Sequence, residues 1–275
     1  MEDVKNLYLD LMKQCLTNWI YGDAEVSIWS PKKNPLKRKI TEFLKAQGLQ
    51  IVRPQPMQAS KRITGEDRSP LAHTMVGLKR LDNIQFCVKD IIANNIPGDL
   101  IETGVWRGGG TIFMRAILKA YGIEDRTVWV ADSFEGCPRP DAERYPEDTD
   151  DVLYTSKELA IPYDKVRENF ERYGLLDGQV RFLKGWFKDT LPQAPIERLA
   201  LVRLDGDLYG STMDALSSLY PKLSVGGYLI VDDFGAIPAC RKAVLDYRES
   251  HGINEKIVKI DWTGIYWKRS HGKEE

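Results

Sequence analysis

Apolar residues recur at Leu7, Leu11, Cys15 and Trp19, and Leu9, Met12, Leu16 and Ile20 widen the stripe, which predicts a helix over residues 3–21. Such a helix would pack on the main body or on a second subunit. Residues 30–71 are rich in Pro, Lys, Arg and Ser and read as connection, except for a short helix over 36–46 begun just after Pro35. The run Arg53-Pro54-Gln55-Pro56 disfavours helix there. From residue 75 to 95, Val76, Leu78, Leu81, Ile84, Phe86, Val88, Ile91 and Ile92 predict a long helix.

The pattern then changes to short apolar runs separated by helical segments. Strands are expected at 99–103, 127–131, 179–183, 199–204 and 228–231, and helices at 111–121, 163–173, 211–223 and 236–250. The runs 257–260 and 264–268 close the chain as an antiparallel pair. Strands alternating with helices imply βαβ units and a mostly parallel sheet, the α/β class. One segment breaks the alternation. Residues 138–162 hold Pro138, Pro140, Pro146 and Pro162 and the acidic cluster Asp141, Glu143, Glu147, Asp148, Asp150 and Asp151. Composition alone suits a solvated acidic loop. A connection this long leaving the carboxyl end of the second strand also suits a mobile lid, because ligands bind at such strand ends.

Composition excludes more than it selects. The net charge of −1 supplies no long-range field towards nucleic acid or an anionic membrane. The four cysteines, Cys15, Cys87, Cys137 and Cys240, lie far apart with no Cys-x-x-Cys pair, as expected of reduced thiols in a cytoplasmic protein. No apolar run approaches the roughly 20 residues of a membrane span, and the first residues lack the basic and apolar regions of a signal peptide. His251 and His271 read as structural or surface residues, with 270–275 a polar, frayed tail, whereas His73 stands near enough to Thr74 to border a pocket.

Candidate chemistry begins at the first strand. Glu102-Thr103-Gly104-Val105-Trp106-Arg107-Gly108-Gly109-Gly110 joins a strand to a helix; Gly104 permits the sharp turn, and Gly108 to Gly110 let backbone approach a ligand closely. A dinucleotide fingerprint would place Gly at 102. A carboxylate there repels a pyrophosphate but attracts the ammonium and sulfonium of S-adenosylmethionine, so Glu102 favours that cofactor over NAD. Asp132, with Ser133 beside it, ends the second strand where an acidic residue commonly grips ribose hydroxyls. Gly185 followed by Trp186 ends the third, where the indole is as well suited to ordinary core as to bordering an adenine.

The fourth strand ends Asp205-Gly206-Asp207 and the fifth Asp232-Asp233. If these strands are neighbours, four carboxylates converge above the cofactor, which is costly unless a cation compensates. A hard divalent ion with oxygen ligands, Mg²⁺ first, suits them. Capping of the following helices is the plainer role open to any one of these aspartates.

Together, Leu7-Tyr8-Leu9-Asp10-Leu11, Thr74-Met75-Val76-Gly77, Arg80-Leu81-Asp82-Asn83, the 102–109 turn, Ala131-Asp132-Ser133-Phe134, Leu204-Asp205-Gly206-Asp207-Leu208-Tyr209 and Val231-Asp232-Asp233-Phe234 resemble the macrocin O-methyltransferase family, from near the N-terminus to about residue 268. The resemblance implies a Rossmann-like class I methyltransferase fold. That fold is a seven-stranded, mostly parallel sheet with an antiparallel terminal pair, here with an N-terminal helical extension over 1–73 and a methyltransferase domain over 74–270 that includes the lid. It implies S-adenosylmethionine and Mg²⁺ as cofactors, the metal held by Asp205, Asp232 and Asp233, and a base at Asp205 or Asp207. Thr74, Met75, Arg107, Gly108 and Asp205 join the cofactor candidates on the same ground. The implied acceptor is a sugar hydroxyl of a glycosylated natural product, and the implied assembly is a dimer formed through the N-terminal region, with no nucleic-acid or membrane partner. A catechol-type phenolic methyltransferase is the nearest alternative. A nicotinamide-dependent oxidoreductase and a non-catalytic module keeping the fold as scaffold are the others.

Overall fold

The computed structural model describes residues 2–31, 34–67 and 69–270. His271 and most of the polar tail lie outside the described residues. Helix α1 (Glu2–Leu16) leads to β1 (Val26–Ile28), α2 (Pro35–Ala46), β2 (Val52–Pro54), α3 (Ala59–Thr64) and α4 (Leu78–Ala93). The main body continues with β3 (Asp99–Thr103), α5 (Gly109–Ala120), β4 (Val128–Asp132), α6 (Tyr163–Arg172), β5 (Val180–Lys184), α7 (Phe187–Thr190) and β6 (Leu199–Leu204). It ends with α8 (Tyr209–Leu219), β7 (Leu223–Val231), α9 (Pro238–Ser250), β8 (Val258–Lys259) and β9 (Ile265–Lys268).

Seven strands form one sheet in the order β5-β4-β3-β6-β7-β9-β8. The first five are mutually parallel, and β9 runs antiparallel to both β7 and β8. Alternation along each strand feeds two cores, one on each face. Leu100 and Leu201 join Leu9, Ile84, Ile112 and Phe170 on one side. Ile101 and Val202 join Leu216, Val244 and Trp267 on the other. Every residue of β6 is buried, as expected of a central parallel strand covered on both faces. The order reverses direction at β3, with β4 to one side and β6 to the other, so the crevice beyond the carboxyl ends of β3, β4 and β6 is where a ligand is expected.

The elements depart from the sequence pattern in instructive places. Helix α1 ends at Leu16 rather than near residue 21, because Asn18 takes a left-handed φ of 53° that breaks the helix. The stripe that packs is Leu9, Met12 and Leu16, while Leu7 and Leu11 are 71% and 50% exposed. The connection expected at 30–71 contains β2, which pairs antiparallel with β1 just before it, and the short helix α3. The helix expected to reach 223 stops at Leu219, and Leu223 already belongs to β7, because Pro221 interrupts the helical backbone. Helix α2 begins as its sequence suggests: the Asn34 side chain accepts a hydrogen bond from the Lys37 N–H, and Pro35 occupies the first turn. Among the described residues no helix is long and apolar enough to cross a membrane.

Candidate active site

The carboxyl ends of β3, β4 and β6 carry left-handed backbone at Gly104 (φ 85°), Trp106 (φ 48°), Phe134 (φ 60°) and Asp207 (φ 57°). For the three non-glycine residues this conformation is strained and is retained where surrounding structure dictates it. Gly104 has no alternative: a Cβ there would overlap the main-chain oxygen of Asp205, so the turn after β3 lies directly against the turn after β6.

These turns border a cavity of about 320 Å³. Of the residues singled out in the sequence, Met75, Gly104, Asp132, Ser133, Trp186, Asp205 and Asp207 line it. The others stand behind that wall. Thr74 is buried, its hydroxyl accepting from the Val76 N–H, and packs where Gly109 leaves no room for a side chain. Arg107 donates to the carbonyls of Pro70 and Ala72 at 2.9 and 2.7 Å, tying the segment before Met75 to the turn after β3. Gly108 caps α5 at φ 88°. Gly185 donates its N–H to the Asp132 carbonyl. His73 bonds the Tyr173 hydroxyl at 2.8 Å and is absent from the cavity wall.

Asp132 braces the turns as well as facing the cavity. One carboxylate oxygen accepts from the Val105 N–H and the other from the Phe134 N–H, both at 2.7 Å. Burial raises its pKa, and these N–H donors oppose that.

Glu102 lies apart from the cavity wall. Its carboxylate is buried behind the cavity and takes a hydrogen bond from Arg203 Nη1 at 2.5 Å. Burial raises its pKa to about 8, against the pull of Arg203. It bonds Arg203 inside the protein and does not line the cavity. The same Arg203 Nη1 donates to Asp205 Oδ2 at 2.8 Å, and Nη2 donates to Asp232. Arg80, from α4, donates to Asp232 on its other oxygen and lies 2.9 Å from Asp261. Two buried arginines thus supply part of the compensation expected of a metal alone.

They do not supply all of it. Among the described residues Asp207 and Asp233 have no cationic partner; Asp207 accepts from the Cys137 thiol at 3.6 Å, and Asp233 from the Asp207 N–H at 3.4 Å. Burial, with Asp232 adding, raises Asp205 to about 6. Burial, with Asp205 adding, raises Asp207 to about 7, and burial beside Asp205 and Asp207 pushes Asp233 well above the ordinary carboxylate range. One oxygen from each of Asp205, Asp232 and Asp233 lies within 4.8 Å of the others. Three hard oxygen donors, on a site with excess negative charge, fit a divalent cation with oxygen preference.

Residues that sequence reasoning left aside complete the wall: Cys137, Tyr145, Phe187 and Lys188. Arg203 carried a usable signal, being one cation inside an otherwise apolar strand, which requires a buried partner.

A profile of the macrocin O-methyltransferase family (TylF) matches residues 5–269. The chain belongs to that family. It is 53% identical over 270 residues to the 8-demethyl-8-(2,3-dimethoxy-alpha-L-rhamnosyl)-tetracenomycin-C 4'-O-methyltransferase of Streptomyces olivaceus, covering 98% of this chain and 95% of the relative. It is 50% identical to the mycinamicin III 3''-O-methyltransferase of Micromonospora griseorubida, over 96% of each chain. The solved structure of the O-methyltransferase NovP superposes with a TM-score of 0.84 at 47% identity, covering 97% of this chain and all 100% of that one. A calicheamicin methyltransferase at 18% identity and a TM-score of 0.57, covering 86% of this chain and 94% of that one, shares the fold. This macrocin-type enzyme is an O-methyltransferase, and the doubly wound sheet with its antiparallel end is the fold its family implies.

Proposed function

We propose that the enzyme methylates a deoxysugar hydroxyl of a glycosylated natural product, using S-adenosylmethionine and a Mg²⁺ ion held by Asp205, Asp232 and Asp233. The observation that carries this reading is the meeting of those three carboxylates, with Asp232 and Asp233 buried behind Asp205, which lines the cavity that Asp132 and Trp186 also border. The sugar acceptor is supported by the names of relatives about half identical to this chain, one of which acts on a rhamnosyl tetracenomycin.

When bound, the cofactor supplies an electrophilic methyl group and the cation a Lewis acid for the acceptor oxygen. Asp132 and Ser133 are suited to the ribose hydroxyls, and Trp186 to one face of the adenine. Asp207 is suited to accept the hydroxyl proton: it borders the cavity and stands outside the three-carboxylate set. Holding the reactants in line can contribute roughly 7–11 kcal/mol. The 138–162 segment contributes Pro138, Tyr145 and Leu159 to the cavity wall and is suited to act as a lid that excludes water from the reacting atoms.

The open face of α1 formed by Val4, Leu7 and Leu11 suits a second copy of the chain, giving a dimer. Sedimentation as a monomer would contradict that assembly. The four free thiols suit the cytoplasm, and recovery of the enzyme from the medium would contradict it. The reading as a whole is tested by incubating enzyme, S-adenosylmethionine and Mg²⁺ with a rhamnosylated polyketide and, separately, with a catechol. Methylation of the sugar is expected. Methylation of the catechol alone would overturn the acceptor assignment.

A further inference from the structure

Helix α8 begins two residues beyond Asp207 and has no side-chain cap of its own, since Leu208 occupies the cap position. Its exposed main-chain donors are instead covered from the 138–162 segment. Asp148, only 3% exposed, accepts the Tyr209 N–H on Oδ1 and the Gly210 N–H on Oδ2, each at 2.8 Å. It is the deeply buried member of an otherwise largely exposed acidic cluster. A carboxylate with both oxygens engaged at a helix N-terminus gains from the backbone dipoles as well as from the two hydrogen bonds.

Three further contacts bind the same segment to α8 and the turn before it. The Tyr145 hydroxyl donates to Asp214 of α8 at 3.0 Å. The Tyr145 ring and the Asp148 carboxylate sit so close to Gly210 that a Cβ there would collide with the ring. The Cys137 thiol reaches the Asp207 carboxylate itself. At its far end the segment accepts the Trp106 indole N–H on the Glu158 carbonyl at 2.9 Å, which joins it to the turn after β3.

We infer that Asp148 is a positioning residue: it latches the acidic segment onto the start of α8 and thereby holds the Asp205–Asp207 turn in its reactive geometry. The inference rests on the assignment of Asp205 and Asp207 to the reaction. Closing the segment and setting the base are then one event, because the same carboxylate does both. Asp207 sits at a left-handed φ of 57°, a conformation that a released α8 terminus would no longer enforce.

The test compares Asp148→Ala, Asp148→Asn and Gly210→Ala with the natural enzyme. The readouts are kcat and KM on a rhamnosylated polyketide, affinity for S-adenosylhomocysteine, the melting temperature, and proteolysis within 138–162. Asp148→Ala should lower kcat about 10- to 100-fold, the cost of a small misplacement of reacting groups, while S-adenosylhomocysteine affinity stays within about threefold. Asp148→Asn keeps one acceptor oxygen and should recover part of kcat. Gly210→Ala removes the latch by collision, leaves Asp148 intact, and carries the test if Asp148→Ala fails to fold. Faster cleavage within the segment should accompany each loss of kcat. A kcat within about twofold of natural in both Asp148→Ala and Gly210→Ala would overturn the inference. So would a kcat loss matched by equal losses in ligand affinity and melting temperature. Asp205→Asn in the same assay keeps the two levels apart: if it is inactive while Asp148→Ala is normal, only the latch fails; if it is fully active, the underlying assignment fails.

Discussion

Arg203 Nη1 and Glu102 Oε1 lie 2.5 Å apart, and this ion pair joins the carboxyl ends of β3 and β6 beneath the cavity. The guanidinium is 0% exposed and also bonds Asp205 and Asp232. Burial works against its charge, but the three carboxylates more than offset that and keep it cationic. It therefore ties the end of β3 to the carboxylates at the ends of β6 and β7 from one point.

Removing that anchor should cost stability before it costs chemistry. Arg203→Met leaves several carboxylates buried with less compensation, and losing one partner of a buried network costs about 3–5 kcal/mol. At roughly 2–4 °C per kcal/mol for a chain of this size, calorimetry should record a clear fall in Tm. An unchanged Tm would show that the carboxylates find compensation elsewhere.

Gly104→Ala should act on both half-sites at once. The added Cβ meets the Asp205 carbonyl, at a φ of 85° that alanine disfavours. Expected are loss of methyl transfer and at least about tenfold weaker S-adenosylhomocysteine binding, read by titration calorimetry. Normal affinity would mean that the β3 and β6 turns can part without consequence.

Asp132→Asn keeps the shape but turns one acceptor into a donor that faces the Val105 or Phe134 N–H. A rise in KM for S-adenosylmethionine of about tenfold or more is expected, with a smaller change in acceptor KM. Equal changes in both would argue for general disorder of the site.

Chelation should abolish methyl transfer, and Mg²⁺ should restore it. Because Arg80 and Arg203 already hold Asp232 and Asp205, the apo enzyme should remain folded, with an unchanged far-ultraviolet spectrum. Unfolding on chelation would recast the ion as structural.

The alternation of strands and helices from residue 99 onwards was legible because the central strands β3, β4 and β6 are buried on both faces and so read as short apolar runs. The aspartate pairs were legible because they interrupt apolar strands at their ends. The β1–β2 pair was not: its strands are three residues each, partly exposed, and separated by α2, so neither periodicity nor a tight turn marks them. The choice of packing face on α1 was also hidden, since Leu7 and Leu11 are as apolar as Leu9 and Met12 and only the position of α5 distinguishes them. The contact of Glu102 with Arg203 was hidden because the two, 101 residues apart in sequence, are neighbours only once β3 and β6 pair. Composition made the acidic segment a solvated loop and its length and place after the second strand made it a lid; that one of its carboxylates is buried on α8 follows from a contact 61 residues apart.

The account turns on Asp205, which faces the cavity, contributes to the three-carboxylate set and is held by Arg203. The most direct measurement is single-turnover methyl transfer by Asp205→Asn with Mg²⁺ present, paired with calorimetric titration of S-adenosylhomocysteine. Turnover should fall by about a thousandfold or more while affinity changes by less than about threefold. Near-natural turnover in that variant, undiminished by a chelator, would contradict the metal-assisted mechanism.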